Sequence, residues 1–202
     1  GVGSMAVQTC AAIGADAIGI VSDDEKIPFV EGLGAKGVLN RKKYECFGQL
    51  PDVKNQKDYS DFIKKCRVLG KDIWQITGKK DVDIVFEHPG ESTFPVSCYL
   101  VKTGGMVVIC AGTSGYNLTM DARYVWMRQK RIQGSHFANL YQATQANEMM
   151  INKLIEPLMS ECFEWSKIPA AHTKMMNNMH LPGNMAALVQ AKKTGMKCFN
   201  DL

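Results

Sequence analysis

Seven cysteines are spread along the 202 residues without one Cys-x-x-Cys pair, and the four histidines include no His-x-x-x-His. Neither a structural zinc nor another metal site is therefore expected. An odd number of thiols also argues against a disulfide framework, and a reducing cytoplasm fits best. Cys10, Cys98 and Cys110 sit in apolar runs, where a free thiol behaves as a small hydrophobe. No apolar run approaches the eighteen or so residues of a membrane span, and no charged stretch followed by an apolar one marks a secretory leader. Charge of one sign is scarce: 24 Lys and Arg against 20 Asp and Glu leave +4. The basic residues (Arg41 to Lys43, Lys64 and Lys65, Lys79 and Lys80, Lys192 and Lys193) are scattered and read as solvated surface, with no nucleic-acid or membrane partner. A nucleotide or coenzyme A phosphate needs only a few such cations. Internal repeats and low-complexity segments are absent.

What is present is an ordinary soluble composition, 46% apolar and 22% charged, enough for one sizeable core. The chain opens GVGSMAVQTCAAIGADAIGIVSDDEK. Gly1, Gly3 and Ala6 fit the G-x-G-x-x-G/A fingerprint, whose glycines allow a tight turn and bring the backbone close to a pyrophosphate at a helix N-terminus. In the full motif a strand precedes that turn. Either the match is accidental or the chain is a piece of something longer.

Helix and strand then alternate. A small-residue helix over 3–14 is followed by a buried strand in DAIGIVS, a short helix in DEKIPFVEGLGA limited by Pro28, and a strand in GVLN. Residues 41–57 are polar, broken by Gly48 and Pro51, and read as an excursion. Residues 59–77 place Phe62, Ile63, Cys66, Leu69, Ile73 and Ile76 near one helical stripe. VDIVFEH is the clearest buried strand, ended by Pro89-Gly90. A helix from about Ser92, a turn at Gly104-Gly105 and an apolar strand ending in GTSG come next. They are followed by a short strand in RIQGSHF, a helix over 139–155, a last helix over 171–181 and a final strand in NMAALVQA. The pattern predicts an α/β, Rossmann-type doubly wound parallel sheet lacking its first strand. One dinucleotide-binding domain is expected over 1–191, with a tail at 192–202.

Several strand ends carry residues suited to chemistry. About twenty positions after the glycines stand Ser22 and Lys26, which suit a ribose 2′-phosphate, beside Asp23 and Asp24, which suit a 2′-hydroxyl. FEHPG places Glu87 and His88 at a strand's carboxyl end, GTSG places Thr113 and Ser114 at another, and GSHFANL places His136 at a third. Capping and ordinary turns explain such residues as readily when each is taken alone. His172 and His180, eight apart on the last helix, read as packing or solvated. The methionines Met149, Met150, Met175, Met176 and Met179 read as adaptable core or partner-facing surface. Convergence of several loops on one nucleotide-sized crevice is the functional signal.

Together GVGSMAVQ, DIVFEHPGESTF, KTGGMVVICAGTSGYN, RYVWMRQKRIQGSHFANLYQA and PGNMAALVQA resemble the cofactor-binding half of crotonyl-CoA carboxylase/reductase, in the medium-chain dehydrogenase/reductase superfamily. The resemblance covers nearly the whole chain, with EHPG, TSGY and GSHFAN the most specific segments. It implies a chain truncated before its glycine turn, with a substrate-binding domain and first strand ahead of it. It also implies an NADPH-dependent reaction, in which hydride reduces an α,β-unsaturated acyl-CoA such as crotonyl-CoA and the enolate captures carbon dioxide to give ethylmalonyl-CoA. By resemblance Gly1, Gly3 and Ser4 approach the pyrophosphate, and Ser22, Lys26 and Arg41 surround the 2′-phosphate. His88, Thr113 and Ser114 line the cofactor groove, while His136, with Phe137 and Asn139, places carbon dioxide. Asp23 departs from the pattern, where relatives carry a second small hydroxyl residue, so NADH stays open. Other oxyanion and carboxylation contacts are implied outside this chain, which alone is expected to be inactive. A non-carboxylating enoyl-thioester or quinone reductase, and a nucleotide-binding or assembly module, are the competing expectations. Self-association is expected through the exposed sheet edge or through NMAALVQA.

Overall fold

The computed structural model describes residues 1–177 and 179–191, so the tail expected at 192–202 lies outside the described residues. Along the chain run α1 (Val2–Ala12), β1 (Ile18–Val21), α2 (Ile27–Gly32), β2 (Gly37–Asn40), α3 (Gln56–Thr77), β3 (Val82–Glu87) and α4 (Phe94–Leu100). There follow β4 (Val101–Ile109), α5 (Ala122–Trp126), β5 (Arg131–Gly134), α6 (Leu140–Ile151), β6 (Met159–Glu164), α7 (Ile168–Met176) and β7 (Asn184–Leu188). The described residues divide into two compact units. One comprises Gly1–Gly19, Val30–Ala35 and the chain from Leu140 onward; the other comprises Ile20–Phe29 and Lys36–Asn139.

In the second unit β3, β4 and β5 form a parallel sheet in that order. Val82, Ile84 and Val85 of β3 and Val101, Val107, Val108 and Ile109 of β4 are β-branched and suit a pleated sheet, whereas β5 is exposed along its length. Phe94 and Cys98 of α4 pack with Val101 and Val107, and Val85, Ile109 and Tyr124 close the cluster. Register pairs Glu87 with Ile109 and Ile109 with Gly134, so the three strands finish in one row. β1 and β2 pair separately. The doubly wound order three-two-one-four-five-six, with its first strand left out, separates into these same two groups. On β3, which pairs with β4 alone among the described strands, Ile84 is 62% and Phe86 43% exposed.

Helix α3 is bounded as its sequence asks. Asn55 accepts from the Asp58 amide at 3.3 Å, and Gly78, at φ 70°, ends the helix in the left-handed conformation. Phe62, Cys66, Leu69 and Ile73 form its buried stripe, with Ile63 and Ile76 half-buried beside them.

The turn expected at Gly104-Gly105 is instead absorbed into β4. Pairing slips there from Val82 opposite Val101 to Ile84 opposite Met106, and Gly104 takes φ 73°. A Cβ on Gly105 would stand 2.7 Å from the Asp83 carbonyl oxygen, so the glycine is needed where the two backbones approach. Cys98 is buried as expected, whereas Cys10 and Cys110 are half-buried; the buried thiols also include Cys46 and Cys66.

In the first unit the Gln8 amide behaves like a stretch of backbone: its Nε2 donates to the Glu156 carbonyl at 3.0 Å and its Oε1 accepts from the Glu156 amide at 2.9 Å. β6 and β7 pair in parallel. β6 was not expected, because its inward residue is Ser160, 1% exposed, whose hydroxyl donates to the Asn184 carbonyl at 3.2 Å. His172 lies on α7, but His180 falls beyond the helix end at Met176 and does not share its face.

Candidate functional site

Glu87, the last residue of β3, is 2% exposed and accepts three hydrogen bonds. Gly90 N and Thr93 Oγ1 donate to its Oε1 at 2.9 and 2.6 Å, and Ser97 Oγ donates to its Oε2. A buried carboxylate survives only with such partners. It thereby ties the strand end to the start of α4 across the loop that carries His88.

That loop is stitched to the one after β4. Both the amide and the hydroxyl of Ser114 donate to the Pro89 carbonyl at 2.8 Å, and Ser92 donates to Ser114 Oγ from its amide at 3.0 Å and its hydroxyl at 2.9 Å. Gly90, at φ 90°, has no room for a side chain, since a Cβ would meet the Gly115 carbonyl oxygen at 2.7 Å. The polar excursion joins in, with Gly48 N donating to the Ser92 carbonyl at 2.7 Å and Gln49 Nε2 to Glu91 Oε1 at 3.3 Å. Two further bonds, Cys110 N to Glu87 O at 3.3 Å and Ser135 N to Ile109 O at 2.7 Å, carry the ladder one residue past the strands. His88, Thr113 with Ser114, and His136 therefore leave adjacent strands on neighbouring loops. The His136 and Phe137 rings lie 3.8 Å apart between centroids; Phe137 is 89% exposed and takes φ 58°. Asn139 closes this segment before α6.

A second cluster sits at the ends of β1 and β2. Ser22 Oγ donates to Asp23 Oδ2 at 3.0 Å, Lys26 Nζ reaches Ser22 Oγ at 3.2 Å, and Lys42 Nζ binds Asp23 Oδ1 at 2.5 Å. Asp24 is held by Asn40 Nδ2 at 3.0 Å and by Lys43 Nζ at 3.0 Å. The bond from Lys42, then that from Ser22, keeps Asp23 below the usual carboxylate range, and Asn40 followed by Lys43 does the same for Asp24. Arg41 opens the 3-10 turn Arg41–Lys43 that delivers both lysines. Lys42 and Lys43, read from sequence as solvated surface in the run Arg41 to Lys43, join the cluster, as does Asn40, for which the sequence gives no signal.

In the first unit Gly1 is the N-cap of α1, and Gly3 and Ser4 lie in its first turn rather than in a preceding loop. Their amides point out of the helix N-terminus, unclaimed by the helix itself.

At the opposite edge of the second unit, by the starts of β3 and β4, a groove of about 380 Å³ is lined by Arg67, Lys71, Lys102, Arg128 and Lys130 with Trp74, Tyr99 and Tyr124. Lys130 is 9% exposed; its Nζ donates to the Cys98 and Tyr99 carbonyls at 2.7 and 2.9 Å and lies 4.7 Å from the Tyr124 ring centroid. It so completes the C-terminus of α4. Burial lowers its pKa from 10.5 to about 8. The unfolded chain then binds more protons between those values, so stability should rise with pH from about 8 to 10.5. Urea titrations across that window should show the rise in the parent and its loss in Lys130→Met; parallel curves would contradict it.

Among the described residues no group of three His, Cys, Asp or Glu side chains could hold a metal ion, and no helix is long and apolar enough to cross a membrane. The crotonyl-CoA carboxylase/reductase of Cereibacter sphaeroides is 60% identical to this chain over 203 residues, covering 100% of it and 47% of the relative. A solved structure of crotonyl-CoA carboxylase/reductase matches with TM-score 0.93 at 59% identity, covering 100% of this chain and 47% of the other. The structure of the crotonyl-CoA carboxylase/reductase AntE in complex with NADP matches with TM-score 0.92 at 38% identity, covering 96% and 48%. The chain thus spans about half the length of these relatives, and the similarity extends over all of it. The zinc-binding dehydrogenase family matches residues 1–153, from the N-cap of α1 past the end of α6, and the chain belongs to that family.

Proposed function

We propose that this chain is the NADPH-binding half of an enzyme that reductively carboxylates an α,β-unsaturated acyl-CoA, crotonyl-CoA or one like it, to ethylmalonyl-CoA or its analogue. The observation that carries the proposal is the single row in which β3, β4 and β5 end, with three neighbouring loops bearing His88, Thr113 with Ser114, and His136. Ligands of open α/β sheets bind beyond the carboxyl ends of the strands.

The residues suit the cofactor. In the first unit the helix N-terminus that begins at Gly1 offers the Gly3 and Ser4 amides to a pyrophosphate. In the second, Ser22, Lys26 and Arg41 serve the 2′-phosphate, and His88 with the Thr113 and Ser114 hydroxyls lines the nicotinamide side. Bound NADPH supplies the hydride. This chain's part is to hold the acceptor-facing groove rigid through Glu87 and to keep His136, Phe137 and Asn139 beside it, where carbon dioxide is to be held and water excluded. Zinc, named in the family's description, finds no ligand set among the described residues. Cys10, Cys46, Cys66, Cys98 and Cys110 are free thiols, which suits a reducing cytoplasm.

The test is turnover by the intact enzyme with crotonyl-CoA, NADPH and bicarbonate, read by product mass. A product heavier by one carbon dioxide supports carboxylation, and His136→Ala should move the product toward plain reduction. Plain reduction by the parent would make it a non-carboxylating reductase; cofactor binding without turnover would leave a nucleotide-binding or assembly module. The edge of β3, unpaired among the described strands, and the strand β7 support self-association of this chain. Sedimentation at micromolar concentration should give dimers or larger, and a monomer would contradict this.

A further inference from the structure

An acidic residue some twenty positions after the glycine turn ordinarily receives a ribose 2′-hydroxyl and repels a 2′-phosphate. Asp23 occupies that position, yet its carboxylate is already engaged on both oxygens. Lys42 Nζ stands 2.5 Å from Oδ1, while Ser22 Oγ at 3.0 Å and Lys26 Nζ at 3.5 Å share Oδ2. Lys26 also reaches Ser22 Oγ at 3.2 Å, so hydroxyl, carboxylate and two ammonium groups form one connected set. Next to it Asp24 is occupied by Asn40 and Lys43, and Asn40 Oδ1 receives the Lys42 amide at 3.0 Å, which fixes the turn from which Lys42 projects.

We propose that Asp23 is an internal counter-ion that holds Lys42 and Lys26 in place in the free chain and yields them to a ribose 2′-phosphate, making Lys42 a further ligand of that phosphate. The inference rests on the NADPH reading above. The physical ground is a difference in strength. The Asp23 and Lys42 side chains are 43% and 65% exposed, and an ion pair so open to water is weak. A phosphate monoester brings nearly two charges and three acceptor oxygens to the same ammonium groups and displaces one carboxylate. Because the lysines are already gathered, they lose less freedom when the phosphate arrives. With NADH the carboxylate keeps its lysines and retains lone pairs for the 2′-hydroxyl. Asp23 therefore tolerates NADPH while blunting the preference for it.

Binding measured calorimetrically on the full chain, with NADPH, NADH, 2′,5′-ADP and 5′-ADP, tests this without turnover. Asp23→Ser should tighten NADPH and 2′,5′-ADP by roughly threefold to tenfold and weaken NADH, through loss of the competing carboxylate. Lys42→Met should weaken the two 2′-phosphorylated ligands roughly tenfold, the effect of one charge-assisted contact, and leave NADH and 5′-ADP unchanged. Both side chains are exposed, so circular dichroism should show both variants folded. If NADPH binds but neither substitution alters the NADPH to NADH ratio, the counter-ion role is overturned while the cofactor assignment stands. If Asp23→Ser weakens NADH and leaves NADPH unchanged, Asp23 is only a hydroxyl ligand and the proposal also falls. If the folded parent binds none of the four ligands, the NADPH reading itself fails and the inference with it.

Discussion

Glu87→Ala is expected to destabilise the chain by about 3 kcal/mol and to weaken NADPH binding at least tenfold. The substitution leaves the Gly90 amide and the Thr93 and Ser97 hydroxyls without their common acceptor in a place almost closed to water. Each stranded buried donor costs about 1–3 kcal/mol, reduced where a hydroxyl can turn to another partner. The effect reaches the ligand through the Pro89–Ser114–Ser92 bonds, which hold the His88 loop against the loop of Thr113 and Ser114. Glu87→Gln keeps one acceptor oxygen for Gly90 and Thr93 and should lose only about 1 kcal/mol. Urea unfolding midpoints together with NADPH titrations check both. Stability and affinity unchanged in Glu87→Ala would remove Glu87 from its role as the tie between the loops.

Asp121 is the second group on which much depends. It caps α5 by accepting from the Arg123 amide at 3.0 Å, receives Arg123 Nε and Nη2 at 2.9 and 2.6 Å, and accepts from Tyr59 Oη at 2.6 Å. The Arg123 guanidinium beside it, with Tyr59 and the helix cap adding to the effect, lowers its pKa from 3.8 to about 2, although burial opposes the shift. A depressed carboxyl contributes stability that is fully present above its unfolded value and is lost as pH falls through the folded one. Its contribution should therefore hold above pH 3.8 and disappear toward pH 2, a change of about 2 kcal/mol. Asp121→Asn should lose that amount at neutral pH and flatten the acid limb of the stability profile. An acid limb identical to the parent's would show that other carboxyls set it.

Much of this architecture can be read from the residues themselves. Alternation of IGIV, GVLN, VDIVFE and MVVI with helical stripes marks a parallel sheet, although VDIVFE, expected to be the clearest buried strand, leaves Ile84 and Phe86 exposed, and Asn55 and Gly78 bound α3 by ordinary cap chemistry. What pattern cannot reveal is pairing over distance. β6 hides because a serine occupies its buried position, satisfied by a carbonyl of β7 that arrives 24 residues later. Gly104 and Gly105 look like a turn because glycine permits one, and only the approach of Asp83 turns them into a bulge within β4. In the candidate site, His88, Thr113, Ser114 and His136 are legible as strand-end residues. Glu87 is legible beside His88 at the strand end, but its three donors come from the loop and helix that follow. The engagement of Asp23 by Lys42 lies across 19 residues, a helix and a strand, beyond any local signal.

The most direct test of the central claim is a titration of this chain with NADPH and with NADH, followed by energy transfer from tryptophan to the nicotinamide, with folding monitored in parallel. Saturable micromolar binding that favours NADPH is the expected result, with the strand-end loops and the cluster around Ser22, Lys26 and Lys42 acting as the cofactor's site. A folded chain that binds neither dinucleotide would contradict it.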